Sequence, residues 1–152
     1  MRFRHANQFA IRGSGDPSRY QCGLRNHANC SSPAVINWLS GLERELYSST
    51  ITLAEILYGV ELLPDSKRRT ELLAGAEKMF TRVLVGRILA YDGAAARSFA
   101  HLASERRRLG RPISELDAQI AAIAQVHNAT LATRNIADFE GCGIRLVNPW
   151  LD

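Results

Sequence analysis

The sequence predicts an α/β fold in which α-helices flank a mostly parallel β-sheet. From about Pro33 onward, segments with apolar residues at helical spacing alternate with short apolar stretches. Helices of about ten or more residues between short strands are typical of this fold class. The chain has 152 residues, the size of one domain with a sizeable core.

The predicted elements follow one another after Pro33 without a linker. They are a helix over 33–45, a strand over 46–50, a helix over 52–63 that Pro64 ends, a helix over 66–80, a strand near 88–91, a helix from Asp92 to about Leu109, a helix over 114–128, a strand over 130–134, an acidic turn or short helix over 135–140 and a strand over 144–150. The helix over 114–128 is expected to turn Leu116, Ile120, Ile123 and Ala124 inward.

Residues 1–32 do not share this pattern. They carry scattered arginine, asparagine and glycine residues and show no sustained period of either a strand or a helix. We therefore predict an irregular segment over 1–32 and one folded domain over 33–152.

Composition excludes some classes of protein. No apolar run approaches the roughly 20 residues that a membrane span needs, and the basic N-terminus lacks the apolar stretch of a secretory signal. The three cysteines are an odd number without CxxC spacing, which favours a reducing cytoplasm over a disulfide framework or a zinc site. A net charge of +4 supports a polyanionic partner only weakly.

Three acidic residues stand at the edges of predicted elements. Glu55 and Asp138 each follow a predicted strand, and Asp117 opens a helix after a Gly-Arg-Pro turn. Glu55 lies three residues after Thr52 and Asp117 three after Ser114, which is the spacing of a capping box, and Asp138 suits an ordinary turn. Spacing alone favours these structural roles.

Placement supports a chemical role instead. Ligands of open α/β sheets bind outside the carboxyl ends of the strands, and three acids gathered there would repel one another unless a cation neutralised them. Mg²⁺ prefers oxygen ligands, and such an ion can lower the pKa of a bound water. The chemistry implied is metal-assisted hydrolysis of a phosphodiester.

Nearby polar residues are candidates to assist. Thr133, Arg134 and Asn135 have the donors to bind a phosphate or orient a water, although they suit a strand end and turn equally well. The arginines at 106–108 suit a solvated helix face better than contact with an RNA backbone.

Several separate motifs resemble one family. ITLAEILYGVELLPDSKRR, GRPISELDAQIAAIA and LATRNIADFEGCGIRLVNPW are similar to segments of PIN-domain proteins of the VapC/FitB type, the toxin half of bacterial toxin–antitoxin pairs. The resemblance implies a PIN-like sheet flanked by helices, endoribonuclease activity on RNA with Mg²⁺ or Mn²⁺, homodimers, and inhibition by a cognate antitoxin. It also implies that Glu55, Asp117 and Asp138 are catalytic and hold the metal.

The front of the chain departs from this family. The family opens with an apolar strand ending in Asp-Thr-Asn, whose aspartate is a principal metal ligand, whereas Asp16 is the only aspartate before Asp65 and no apolar strand surrounds it. Codons can be chosen for residues 16–28 that, read one base later, spell Ile-Leu-Leu-Asp-Thr-Asn-Val-Val-Ser-Glu-Ile-Met-Arg. We therefore hypothesise that the residues before about Pro33 are translated out of frame.

The leading interpretation is a metal-dependent ribonuclease toxin that lacks one ligand. One alternative is an inactive PIN-like module that binds an antitoxin or RNA without cleavage. Another is a plain α/β interaction domain whose acids are helix caps and turn residues.

The nucleotides beneath residues 10–35 test the out-of-frame hypothesis. We expect the frame one base later to encode the missing apolar strand and its aspartate, because the overlap of adjacent codons fixes most bases. DNA sequencing checks this. An incompatible base at any codon of residues 16–28 would rule the hypothesis out.

Overall fold

The computed structural model describes residues 9–11 and 46–151 of the chain. The helix predicted over 33–45 lies outside these residues, as does most of the segment 1–32. In chain order the elements are β1 (Phe9–Ile11), β2 (Leu46–Ser49), α1 (Thr50–Glu61), α2 (Lys67–Lys78), β3 (Ile88–Leu89), α3 (Gly93–Arg108), α4 (Glu115–Val126), β4 (Thr130–Ala132), α5 (Ile136–Phe139) and β5 (Arg145–Val147). A wider π-type turn, Met79–Val83, directly follows α2.

The predicted α/β fold is confirmed, with helices packed on a five-stranded sheet of order β3-β2-β1-β4-β5. β2 pairs with β3, and β4 with β5, in parallel. β1 lies between β2 and β4 and is antiparallel to both. Four strands therefore end at one edge of the sheet, and β1 ends at the opposite edge.

The prediction that residues 1–32 are irregular is wrong for β1. Ala10 lies opposite Tyr47 of β2 on one side and Leu131 of β4 on the other. Backbone groups buried between two strands need partners, and β1 supplies them to both neighbours. A strand of three residues is too short to show a sequence period, so only this long-range pairing reveals it.

Short polar side chains begin the four long helices. Ser49, Ser66, Asp92 and Ser114 are the N-caps, and each accepts a hydrogen bond from a backbone N–H of the first turn. α1 begins at Thr50, two residues before the predicted start, and ends before Pro64 as expected. In the described ranges, no helix is long and apolar enough to cross a membrane.

The core includes the contact of α3 and α4 with the sheet. α4 buries most of its residues from Ala118 to Ala124, and the small alanines allow α3 to pack closely. Ile120, Ile123 and Ala124 face inward as predicted. The prediction was wrong for Leu116, which lies in the first turn of α4 and is 41% exposed.

Replacement of Leu131 by alanine tests the position of this core. Leu131 of β4 is 1% exposed, so Leu131→Ala should lower the free energy of unfolding by about 2–5 kcal/mol through lost burial and a residual cavity. Leu109→Ala is the matched control, because Leu109 is 68% exposed and its loss should cost less than about 0.5 kcal/mol. Urea unfolding measures both. Equal effects would contradict the described packing.

Candidate functional site

Asp117 occupies the first turn of α4 with its carboxylate buried. Its backbone N–H donates to the Ser114 hydroxyl oxygen at 3.2 Å, and that hydroxyl donates to Asp117 Oδ2 at 2.5 Å. The spacing of Ser114 and Asp117 therefore predicted the helix start correctly. Asp117 is only 4% exposed, whereas an acid that only caps a helix usually remains in contact with water. Capping alone therefore does not account for the burial of this carboxylate.

Asp117 and Asp138 line one cleft of about 510 Å³. The carboxylate of Asp138 belongs to α5, a helix of four residues just past the end of β4, and it is exposed. The polar residues that line this cleft are Arg106, Arg111, Ser114, Asp117, Asp138 and Glu140. Of these, the sequence predicted only the two aspartates as functional residues.

Arg106 is not on a solvated helix face, so the prediction for it was wrong. It is 6% exposed, and its guanidinium donates to the backbone carbonyls of Glu140 and Asp138, the latter at 3.3 Å. Its neighbours Arg107 and Arg108 are exposed, as expected. The available signal was spacing, because Arg106 lies four residues after the buried Leu102 and so continues the apolar stripe of α3.

Glu55 lies in the second turn of α1 and not at its cap. Ser49 caps this helix and accepts from the Thr52 N–H at 3.0 Å, so the capping-box interpretation of Glu55 was wrong. Glu55 is half-buried and does not line the cleft that Asp117 and Asp138 share. Its part in a metal site stays a prediction.

The acids do not form a closed metal centre. Among residues 9–11 and 46–151, no group of three histidine, cysteine, aspartate or glutamate side chains is close enough to hold a metal ion. The donors present nevertheless suit Mg²⁺ or Mn²⁺, which bind carboxylate oxygens and complete their shells with water and substrate phosphate. The pair Asp117 and Asp138 therefore fits such an ion as part of its ligand set.

The direction of β1 decides which of its ends lies near Asp138. Its last residue, Ile11, lies opposite Leu46 and Thr130, the first residues of β2 and β4. β1 therefore ends at the edge of the sheet where β2 and β4 begin, away from Asp138. The three residues of β1, Phe9–Ile11, include no aspartate or glutamate.

Thr133 and Asn135 form the turn that leads into α5. Thr133 is 2% exposed, and its hydroxyl oxygen accepts from the Asn135 backbone N–H at 3.1 Å. The Thr133 N–H donates to the carbonyl of Val147 at 2.9 Å, which ties the turn to β5. Their structural role is established by these bonds, and substrate binding by either residue stays a prediction.

Cys142 lies behind the cleft within the apolar cluster that contains Phe139 and Leu102. Burial raises the pKa of this thiol, and Arg106 opposes that effect only in part. A thiol of raised pKa is less readily deprotonated than a free cysteine and is therefore less reactive.

Comparison with known proteins identifies the family. The PIN-domain family model matches residues 31–140. VapC ribonuclease Y4jK of Sinorhizobium fredii is 38% identical over 118 residues, which cover 77% of this chain and 84% of that protein. Toxin FitB of Neisseria gonorrhoeae is 36% identical over 119 residues, which cover 78% of this chain and 86% of that protein.

A solved structure shows the same fold. The structure of FitAB bound to the IR36 DNA fragment matches with a TM-score of 0.70 and 35% sequence identity, and the match covers 83% of this chain and 87% of that chain. The resemblance seen in the sequence motifs is thereby confirmed. The chain belongs to the PIN-domain family and is of the VapC/FitB type.

Proposed function

We propose that this chain is a divalent-metal-dependent endoribonuclease toxin, weakened by the loss of one metal ligand. The observation that carries the proposal is the shared cleft of Asp117 and Asp138, which lies beside the edge where the parallel strands end. The ribonuclease name of a relative that is 38% identical supports it.

Asp117, Asp138 and Glu55 are the proposed ligands of Mg²⁺ or Mn²⁺. Such an ion supplies a water of lowered pKa and neutralises charge on the phosphate. The carboxylate of Asp117 already has a fixed position, because it is buried and hydrogen-bonded to the Ser114 hydroxyl. Asp138 is exposed and lines the same cleft.

The remaining groups act on the substrate. Thr133 and Asn135 are proposed to donate to an RNA phosphate next to the attacking water. Asp117 holds its carboxylate in place without reorganisation, which favours the in-line approach of water to phosphorus. The expected products are those of phosphodiester hydrolysis.

Partners follow from the same family relationship. We propose that a cognate antitoxin covers this cleft, that the chain forms a homodimer, and that it acts in the cytoplasm. The support is its similarity to FitB and to the FitAB structure.

A second candidate function is favoured by one observation. No three acids in the described part of the chain lie close enough to hold an ion, and β1 brings no acid to the cleft edge. An inactive PIN-like module that binds an antitoxin or RNA without cleavage would have this arrangement.

Replacement of Asp117 separates the two functions. Asp117→Asn keeps the size of the side chain and removes its charge, so cleavage of RNA with Mg²⁺ should fall by more than about 100-fold. Residues that only orient a metal ligand typically cost about 10–100-fold when they are replaced. Circular dichroism should show the fold unchanged. Glu115→Gln is the control, because Glu115 is an exposed acid of the same first turn.

Each result assigns one function. Loss of cleavage in Asp117→Asn alone supports the nuclease. If the unaltered chain cleaves no RNA with Mg²⁺ or Mn²⁺ but still binds RNA or antitoxin, the inactive module is correct.

Ser114 provides a test of metal binding that does not depend on turnover. Ser114→Ala removes the hydroxyl that donates to Asp117, so the dissociation constant for Mn²⁺ should rise about 10–100-fold. It also removes an N-cap worth about 1 kcal/mol. Ser66→Ala removes the equivalent cap of α2, far from the cleft lining, and controls for that loss.

Mn²⁺ binding is measured by electron paramagnetic resonance, and stability by thermal unfolding. Both variants should unfold at lower temperature, and only Ser114→Ala should bind Mn²⁺ more weakly. Equal Mn²⁺ affinities in the two variants would contradict a metal site at Asp117.

A further inference from the structure

Arg106 is a buried cation that forms no ion pair with a carboxylate of residues 46–151. It is 6% exposed, and the ion pairs of the described residues do not include it. Burial of a charge is costly unless other groups compensate it. The compensation here comes from the carbonyl oxygens of Asp138 and Glu140, although the carboxylates of Asp117 and Asp138 line the same cleft.

Those two carbonyls belong to the end of α5. A helix of four residues is not stable by itself, so its position depends on contacts with the rest of the protein. Phe139 supplies one contact by full burial, and Arg106 supplies the other from α3. The last carbonyls of a helix carry partial negative charge and lack partners within the helix, so a guanidinium suits them.

The bonding pattern leaves the acid available. Arg106 holds the backbone of Asp138 and forms no ion pair with its side chain, which remains exposed in the cleft. A lysine at this place would offer a point charge, whereas the planar guanidinium reaches two carbonyls at once. The geometry therefore separates two tasks: the cation fixes the main chain, and the carboxylate faces the cleft.

We propose that Arg106 is a positioning residue that orients the carboxylate of Asp138 toward Asp117 by anchoring α5 to α3. The metal-binding consequence of this rests on the proposed function, and the anchoring itself does not. In this proposal Arg106 acts through Asp138.

Native-state hydrogen exchange measures the anchoring. Arg106→Lys should speed exchange of the Asp138, Glu140 and Cys142 amides by about 10-fold or more, because a hydrogen bond to a charged group is lost. These amides donate to carbonyls within the same turn, at 3.1–3.2 Å. The Thr133 amide, which donates to Val147, is the reference and should not change.

Arg107→Lys is the matched control, because Arg107 is the exposed neighbour on the same helix. It should leave every amide unchanged. Uniformly faster exchange in Arg106→Lys, including Thr133, would show general destabilisation and overturn the proposal. Unchanged exchange in the turn would overturn it as well.

A double-mutant cycle with Asp138→Asn measures the consequence for metal. Arg106→Lys alone should weaken Mn²⁺ binding about 10–100-fold, as expected for a residue that orients a ligand. In the Asp138→Asn background it should cause no further loss, because its effect passes through that carboxylate. Additive losses would show that Arg106 does not act through Asp138.

The two proposals fail in different ways. If the unaltered chain binds no Mn²⁺ in the cleft, the proposed metal-dependent function is wrong, and hydrogen exchange alone then decides the role of Arg106. If Mn²⁺ binds but Arg106→Lys changes neither exchange nor affinity, the positioning role is wrong and the metal site stands.

Discussion

The sheet depends on a strand that occupies the central position between β2 and β4. β2 and β4 both turn backbone N–H and C=O groups toward that place, and a buried backbone group without a partner costs about as much as a lost hydrogen bond. The three residues of β1 supply partners on both sides. Parallel and antiparallel ladders differ little in energy per residue, so the sheet tolerates either strand direction. Direction decides which end of the strand lies on the side of the sheet where Asp138 follows β4.

Different contacts position the carboxylates of Asp117 and Asp138 in the cleft. Asp117 is fixed within its own helix, where Ser114 caps the backbone and also donates to the carboxylate. Asp138 sits on a four-residue helix whose position is set from outside, by burial of Phe139 and by the bonds from Arg106. The position of Asp117 is therefore set by local structure, and the position of Asp138 by tertiary contacts. A substitution that loosens the packing between α3 and α5 would therefore displace Asp138 before it affects Asp117.

Local features of the sequence predicted most of the described fold, whereas features that depend on long-range contacts were not predicted. Periodicity and polar caps located the helices within a few residues, since both act over one or two turns. Asp117 and Asp138, which the motifs singled out, line one cleft, and their role as metal ligands stays a prediction. Burial of Arg106 and the strand Phe9–Ile11 were missed, because each depends on groups more than 30 residues away in the chain. The position of Glu55 was misjudged for a local reason, because Ser49 caps the helix in place of Thr52.

The charge of the residues that line the cleft bears on the proposed nuclease function. The lining residues contribute three carboxylates and two guanidinium groups, which leave one negative charge. A divalent cation would reverse that sign and attract a phosphodiester, so the cleft still favours RNA once an ion is bound. On the proposed function, a site with one carboxylate fewer would hold the ion less firmly and orient its water less well. Because only interactions that strengthen in the transition state accelerate a reaction, we expect such a cleft to keep its affinity for RNA while its rate of cleavage falls.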